Sequence, residues 1–417
     1  LHISRLALDH FRSWEHCVLD LHPGVNIVQG ANGLGKTNLV EAVEVISTGS
    51  SHRTSSSIPL VQRGATSATI RMNVEADDNN AADLASAQSA SSNTTTLEAT
   101  ITARGANRGR INGGASRYMR DIVGRVPSVS FTPEDQQLVS GDPAVRRAFL
   151  NQTATQLIAG YADRLQTFTH IAKQRAALLK QLNQQRQAGQ NADATLSGLE
   201  IWTGQFIEAG IAITRDRAKV IDRLAGPFAQ LCAQLAAAAD DASDGDRASD
   251  DAGSPAIAGL KYQPSFEEVL GAEDPAALIS EHFRRIYPGE VARGINLIGP
   301  QRDDMTLTLY GMPAREFASN GETWTLALAL KMAVYGALSE TFGRKPIVIL
   351  DDVFAQLDES RRAQILRFAA AQDQVLITVA ADGDIPSSPI IAEGRTHRID
   401  VAALKRDMQA QETADHA

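Results

Sequence analysis

The chain has 417 residues, of which 43% are hydrophobic and 21% charged, and its formal net charge is −9. That length exceeds one ordinary domain, and the acidic balance argues against a protein that coats nucleic acid indiscriminately, though a local basic face remains open. No apolar run approaches membrane-span length, the N-terminus lacks a signal-peptide pattern, and two isolated cysteines, Cys17 and Cys232, fit a reduced cytoplasmic setting.

Residues 2–8 and 17–21 read as strands around His10-Phe11-Arg12-Ser13-Trp14, with Phe11 and Trp14 packing a hairpin. Residues 25–28 read as a short buried strand. It enters Gly30-Ala31-Asn32-Gly33-Leu34-Gly35-Lys36-Thr37, and residues 38–46 leave as a helix. This is the phosphate-binding P-loop in its required strand–loop–helix context. Glycines let backbone N–H groups turn around phosphate oxygens without a Cβ clash, and the helix N-terminus adds positive charge there. Lys36 can reach the β- and γ-phosphates, and the Thr37 hydroxyl can ligate Mg²⁺. The reading is a nucleotide-binding protein.

A polar loop follows at residues 50–54; Arg53 and Arg63 could approach nucleotide or DNA, but a solvated loop is the expected account. Residues 67–75 and 97–103 alternate as a strand pair, and the Ser/Thr/Asn/Ala-rich stretch 77–96 between them is expected to be a disordered insertion. Next comes a basic segment with Arg104, Arg108, Arg110, Arg117, Arg120 and Arg125, a candidate phosphate-contacting face or else a solvated sheet edge. Residues 126–131 form a strand, and Pro133 and the Arg146-Arg147 pair lie on helices beyond it.

From residue 152 to 235 apolar residues step by three and four, with a polar break at 184–194. This predicts an antiparallel helical hairpin whose returning helix is kinked at Gly226-Pro227. The Ala/Ser/Asp-rich stretch 240–254 is expected to be a disordered linker. Residues 258–263 and 305–309 read as strands and 275–287 as a helix. Ala318-Ser319-Asn320-Gly321-Glu322 opens a long apolar helix, a second helix N-terminus suited to an anion. Residues 346–350 form an apolar strand ending in Asp351-Asp352, the Walker B form. Asp351 is placed to hold Mg²⁺ and Asp352 to polarise an attacking water. The final apolar strand spans 374–379, and the residues from Arg406 are expected to fray.

A P-loop near residue 30 and a Walker B near residue 351, with a coiled hairpin and a signature-like loop between, follow the order of the ABC-type ATPases of chromosome maintenance. The expected fold is therefore α/β, an ABC-type P-loop ATPase head with a helical coiled-coil hairpin domain. The domains are drawn as an N-terminal ATPase lobe at 1–150, the hairpin at 151–237, an acidic linker at 238–256, a C-terminal ATPase lobe at 257–405 and a polar tail at 406–417.

Over essentially its whole length the chain resembles the RecF family of bacterial recombination mediators. Matching stretches are residues 10–14, the P-loop with Asn38, Ser51-His52-Arg53-Thr54, Phe131-Thr132-Pro133-Glu134-Asp135, Arg146-Arg147-Ala148-Phe149-Leu150, Gly299-Pro300-Gln301-Arg302-Asp303-Asp304, residues 325–331, and 350–358. The resemblance implies ATP and Mg²⁺ as cofactors. It assigns phosphate and metal to Lys36 and Thr37, a signature acting in trans to Ser319 and Gly321, the metal carboxylate to Asp351, the water-activating carboxylate to Asp352 and the D-loop acid to Asp358. It further implies an ATP-dependent homodimer on single-stranded or gapped DNA, partnership with RecR and RecO in loading RecA, and slow hydrolysis as a release step.

The chain departs from the family at Gln301, usually His, at Asn320, usually Gln, and at Gln356, usually acidic. Glu322-Thr323-Trp324 is unusual after the signature. Where ABC transporters carry a switch His, this chain reads Thr378-Val379-Ala380, so no γ-phosphate sensor is assigned. The alternative function is an ATP-driven DNA-structure enzyme, an SMC-like motor or nuclease accessory. Candidate DNA contacts are Arg104, Arg108, Arg110 and Arg117, with Lys173 and Arg175 on the hairpin.

Overall fold

The structure is a computed structural model that describes residues 1–54, 56–75, 94–240, 257–381, 383 and 396–415. The described residues fall into two compact units. One draws on Leu1–Gln136, Leu231–Gly253 and Trp324–Ala417, the other on Gln137–Gln230 and Ser254–Thr323. This division cuts across the boundaries expected from sequence, because residues 137–150 and those up to Thr323 group with the hairpin.

The first unit holds two sheets. Strands β1 (His2–Phe11), β2 (Trp14–Asp20), β4 (Ser67–Glu75), β5 (Thr94–Thr102), β6 (Arg108–Ile111) and β7 (Arg117–Tyr118) form an antiparallel sheet in the order β2-β1-β4-β5-β6-β7. β4 and β5 bury every second residue, as expected of a sheet with one face on the core. Strands β3 (Gly24–Gln29), β8 (Ser128–Phe131), β12 (Ile347–Asp351), β13 (Gln374–Val379) and β14 (Thr396–Asp400) form a parallel sheet in the order β14-β3-β13-β12-β8. Its central strands are buried throughout, which explains their unbroken apolar runs in the sequence.

Helix α1 (Lys36–Thr48) packs between the sheets in one continuous core that includes Leu39, Val43 and Ile46 with Leu6, Ile70 and Ile349. Gln374 ties the sheets by hydrogen bonds. Its Oε1 accepts the Ile3 N–H, and its Nε2 donates to the carbonyls of Ile3 and His22.

The second unit is built on helices α2 (Pro143–Leu157), α3 (Tyr161–Gln187), α4 (Asp193–Asp240) and α5 (Pro275–Arg293), with a small sheet of β9 (Ala258–Gln263), β10 (Asp304–Leu309) and β11 (Met312–Pro313). The predicted hairpin is present as α3 and α4. The last turns of α4 belong to the first unit, and this one helix of 48 residues contains Pro227, the position of the expected kink.

The Gly-Pro-Gln-Arg-Asp-Asp stretch proves to be the polar centre of this unit. Asp303 is fully buried and accepts from Arg217 Nη1 at 2.6 Å, from the Ser265 N–H at 2.8 Å and from the Tyr262 hydroxyl. Arg217 also donates to the Pro300 carbonyl, Asn151 Oδ1 and the Tyr161 hydroxyl. Arg146 grips Asp304 through two parallel hydrogen bonds. Buried charges survive here because each is paired and hydrogen-bonded.

Two further expectations are corrected or left aside. β13 is the final apolar strand, as expected, but not the last strand. Polar β14 follows it, pairs with β3 and buries only Ile399, so it carries no apolar run to betray it. The tail expected to fray from Arg406 belongs to helix α8 (Val401–Asp415), which starts on an Asp400 cap and packs Val401 against the core. The stretches expected to be disordered lie outside the described residues, save Thr94–Thr96, which belong to β5, and Asp240, the last residue of α4.

Candidate functional site

The P-loop leaves the C-terminal end of β3 with Ala31, Asn32 and Gly33 exposed at its tip. Gly33 and Gly35 have φ of 84° and 94°, a left-handed backbone that a Cβ disfavours. A Cβ on Gly35 would also stand 2.7 Å from Ser13 Oγ and 2.9 Å from Trp14 Nε1. Trp14 is therefore more than a hairpin packing residue: its indole N–H donates to the Gly35 carbonyl at 3.1 Å. Gly30 lies where a Cβ would meet Leu34 and Val401 at 3.2 and 3.3 Å, so the start of α8 backs the loop. Lys36 is buried and donates to the carbonyls of Gly30 and Ala31 at 2.6 and 3.2 Å and to Asn32 Oδ1 at 3.3 Å. Its ammonium thus points back into the loop, where phosphate oxygens can replace the carbonyls as acceptors.

Across 314 residues of chain, the Thr37 hydroxyl donates to Asp351 Oδ1 at 3.1 Å. The same oxygen accepts from the Thr378 hydroxyl at 2.5 Å. Burial pushes the Asp351 carboxyl above its ordinary value, against the two hydroxyl hydrogen bonds that pull it down. A hydroxyl and a buried carboxylate side by side are a hard-oxygen donor pair, the kind that Mg²⁺ takes together with phosphate oxygens and water. The residues present therefore fit Mg²⁺ and a polyphosphate. Asp352 is half-buried, with a left-handed φ of 55°, and its N–H donates to Thr378 Oγ1 at 3.0 Å.

Around α1 the family-like stretches converge on two glutamates. Buried Glu41 accepts from Arg12 at 2.9 Å, from Arg53 at 3.1 Å and from the Ser51 hydroxyl at 2.5 Å. Arg53 also donates to Asn38, so it is tied to the P-loop helix and is not simply solvated. Glu44 accepts from the ring and backbone N–H groups of His52. Burial lowers the His52 pKa, but the hydrogen bond and charge of Glu44 outweigh it and the net shift is upward. Trp14, Glu41, Glu44 and Thr378 were missed as site residues: tertiary contacts alone bring in Trp14 and Thr378, and no motif marks the two glutamates of α1, whose partners lie at Arg12 and at residues 51–53.

Ser319 and Gly321 lie in the second unit at the start of α6 (Asn320–Phe342). There Glu322 Oε2 accepts both the Ser319 hydroxyl and N–H, at 2.7 and 2.8 Å, and the Glu322 N–H donates back to Ser319 Oγ. These hydrogen bonds hold Glu322 below the usual carboxylate range. Asp358 caps α7 (Glu359–Ala370) by accepting the Arg361 N–H. Gln301 donates to the Ile298 carbonyl.

Arg104, Arg108, Arg110 and Arg117 are all exposed on and beside the β5–β6–β7 edge. Tyr118 carries a guanidinium within 4.4 Å from Arg108 and within 4.1 Å from Arg120. Lys173 is exposed on α3. Arg175 is a correction: it is 1% exposed and spends its fork on Glu290, Asn296 and Thr203, so it is a core residue and no DNA contact. Helical spacing alone did not distinguish its face from that of Lys173.

A P-loop at the C-terminal end of a parallel strand, a strand-end carboxylate beside it and a helical hairpin inserted between the two in sequence define an ABC-type ATPase head. The family model RecF/RecN/SMC N terminal domain matches residues 2–385. The DNA replication and repair protein RecF of Bifidobacterium longum subsp. infantis is 63% identical over 97% of this chain and 90% of that protein. Its counterparts in Bifidobacterium adolescentis and Beutenbergia cavernae are 62% and 36% identical, over 99% and 93% of this chain and 94% and 95% of those proteins. This chain belongs to the RecF family. The solved structure of the recombination mediator protein RecF-ATPrS in the RecFOR pathway shares the fold, with a TM-score of 0.75 and 23% identity over 96% of each chain.

Proposed function

We propose that this chain is an ATP-binding DNA repair protein of the cytoplasm, in which ATP-Mg²⁺ closes a homodimer on single-stranded or gapped DNA and slow hydrolysis releases it. The observation that carries this reading is the meeting of Thr37 and Asp351, which assembles a P-loop and a Walker B carboxylate from opposite ends of the chain. Lys36 and the P-loop N–H groups bind and orient the phosphates, with Thr37 and Asp351 as the metal's protein ligands. When bound, Mg²⁺ offsets negative charge on the phosphates. Asp352 takes a proton from the attacking water. Ser319 and Gly321 complete the site in trans, which requires Ser319 to leave its hydrogen bonds with Glu322. The exposed arginines of the β6–β7 edge and Lys173 meet DNA phosphates. Family membership supports RecR and RecO as partners and RecA loading as the outcome. Among the described residues no helix is long and apolar enough to cross a membrane.

Particle mass by sedimentation, with and without ATP-Mg²⁺, tests the proposal. Wild type is expected to pass from monomer to dimer with nucleotide, and Ser319→Arg to stay monomeric. Equal masses in all four conditions would overturn the clamp.

A further inference from the structure

Strand β13 lies between the P-loop strand β3 and the Walker B strand β12, and Thr378 on it stands opposite Val28 on one side and Asp351 on the other. Its side chain is fully buried. One hydroxyl therefore does two things: it donates to Asp351 Oδ1 and accepts the N–H of Asp352. The second bond accompanies an unusual backbone. Asp352 is one of the few non-glycine residues with positive φ, a conformation disfavoured by its Cβ. A backbone N–H turned out of the strand ladder needs another acceptor, and Thr378 provides it.

We propose that Thr378 is a positioning residue for ATP hydrolysis, its hydroxyl locking the Asp351-Asp352 turn so that one carboxylate faces Thr37 and the next is held as the base. This rests on the ATPase reading above. Thr378 stays away from phosphate and acts only through the two aspartates. Valine keeps its shape and deletes its hydroxyl. The substitution removes one donor from Asp351 and leaves the Asp352 N–H without its acceptor, so the left-handed turn loses its lock. Affinity for ATP is left largely intact, because Lys36 and the loop N–H groups supply it.

The test is nucleotide affinity and single-turnover hydrolysis in the full chain. Thr378→Val is expected to bind ATP within about threefold of wild type and to hydrolyse it at least about tenfold more slowly, the scale of one missing hydrogen bond to a charged group. Thr378→Ser is expected to restore the rate. In an Asp352→Asn background, Thr378→Val is expected to slow hydrolysis by less than it does in the wild type, because one of the two residues it positions is already disabled. Should the valine variant melt early, Thr378→Cys, similar in shape and a poor donor, carries the same expectations. Wild-type turnover in Thr378→Val, an affinity loss as large as the rate loss, or a full further slowing of Asp352→Asn would each overturn the proposal. Absence of ATP binding in the wild type itself would instead overturn the ATPase reading, and this proposal with it.

Discussion

At the scale of single residues, the P-loop neighbourhood is a set of buried polar groups, each held by specific hydrogen-bond partners. His52 illustrates the consequence for pH. Its raised pKa means that the Glu44 pairing stabilises the fold fully below the ordinary histidine value of 6.5 and fades as pH rises through the folded value above it. The melting temperature is therefore expected to fall between about pH 6 and pH 8, and His52→Asn to flatten that slope. A variant that keeps the wild-type slope would remove His52 as its source. Lys36 shows the same dependence on surroundings: its motif position was legible, but its present acceptors are loop carbonyls that no motif specifies.

At the scale of elements, the two sheets differ in how far the sequence betrays them. Period-two burial in β4 and β5, and solid apolar runs in β12 and β13, follow from one-sided and two-sided burial, and both patterns were readable. β14 was not, because an edge strand with one buried residue has no pattern to read. The stretch around Asp303, one of those that carry the family resemblance, is the joint between α4 and the β9–β10 pair. Asp303→Ala leaves Arg217 buried without its counter-charge, and destabilisation of about 3–5 kcal/mol is expected in a denaturant melt. A change below about 1 kcal/mol would mean that water replaces the carboxylate and the joint is less dry than its burial implies.

At the scale of the whole molecule, an overall charge of −9 coexists with an exposed arginine edge, so nucleic-acid binding has to be local. Changing Arg104, Arg108, Arg110 and Arg117 together to glutamate is expected to flatten the dependence of DNA affinity on salt, by roughly 0.9 in the logarithmic slope for each duplex phosphate that is no longer neutralised. An unchanged slope would move the interface elsewhere. The β6–β7 arginines and Lys173 belong to different compact units, so Lys173→Glu measured separately tells which unit holds the DNA.

What the sequence alone determined were the features written in local spacing. These are the P-loop between a strand and a helix, the apolar strand ending in Asp351-Asp352, the helical hairpin and the alternation of the outer sheet. They are legible because phosphate binding, helix packing and strand burial each impose a short period or a fixed residue order. Only the tertiary structure decided that Thr37 touches Asp351, that Thr378 holds both aspartates, that Trp14 backs Gly35 and that Arg175 is buried. The first three are set by strand order and register and the last by helix packing, which bring together residues far apart in the chain. A buried polar group takes its role from whichever partner the fold places within hydrogen-bond reach.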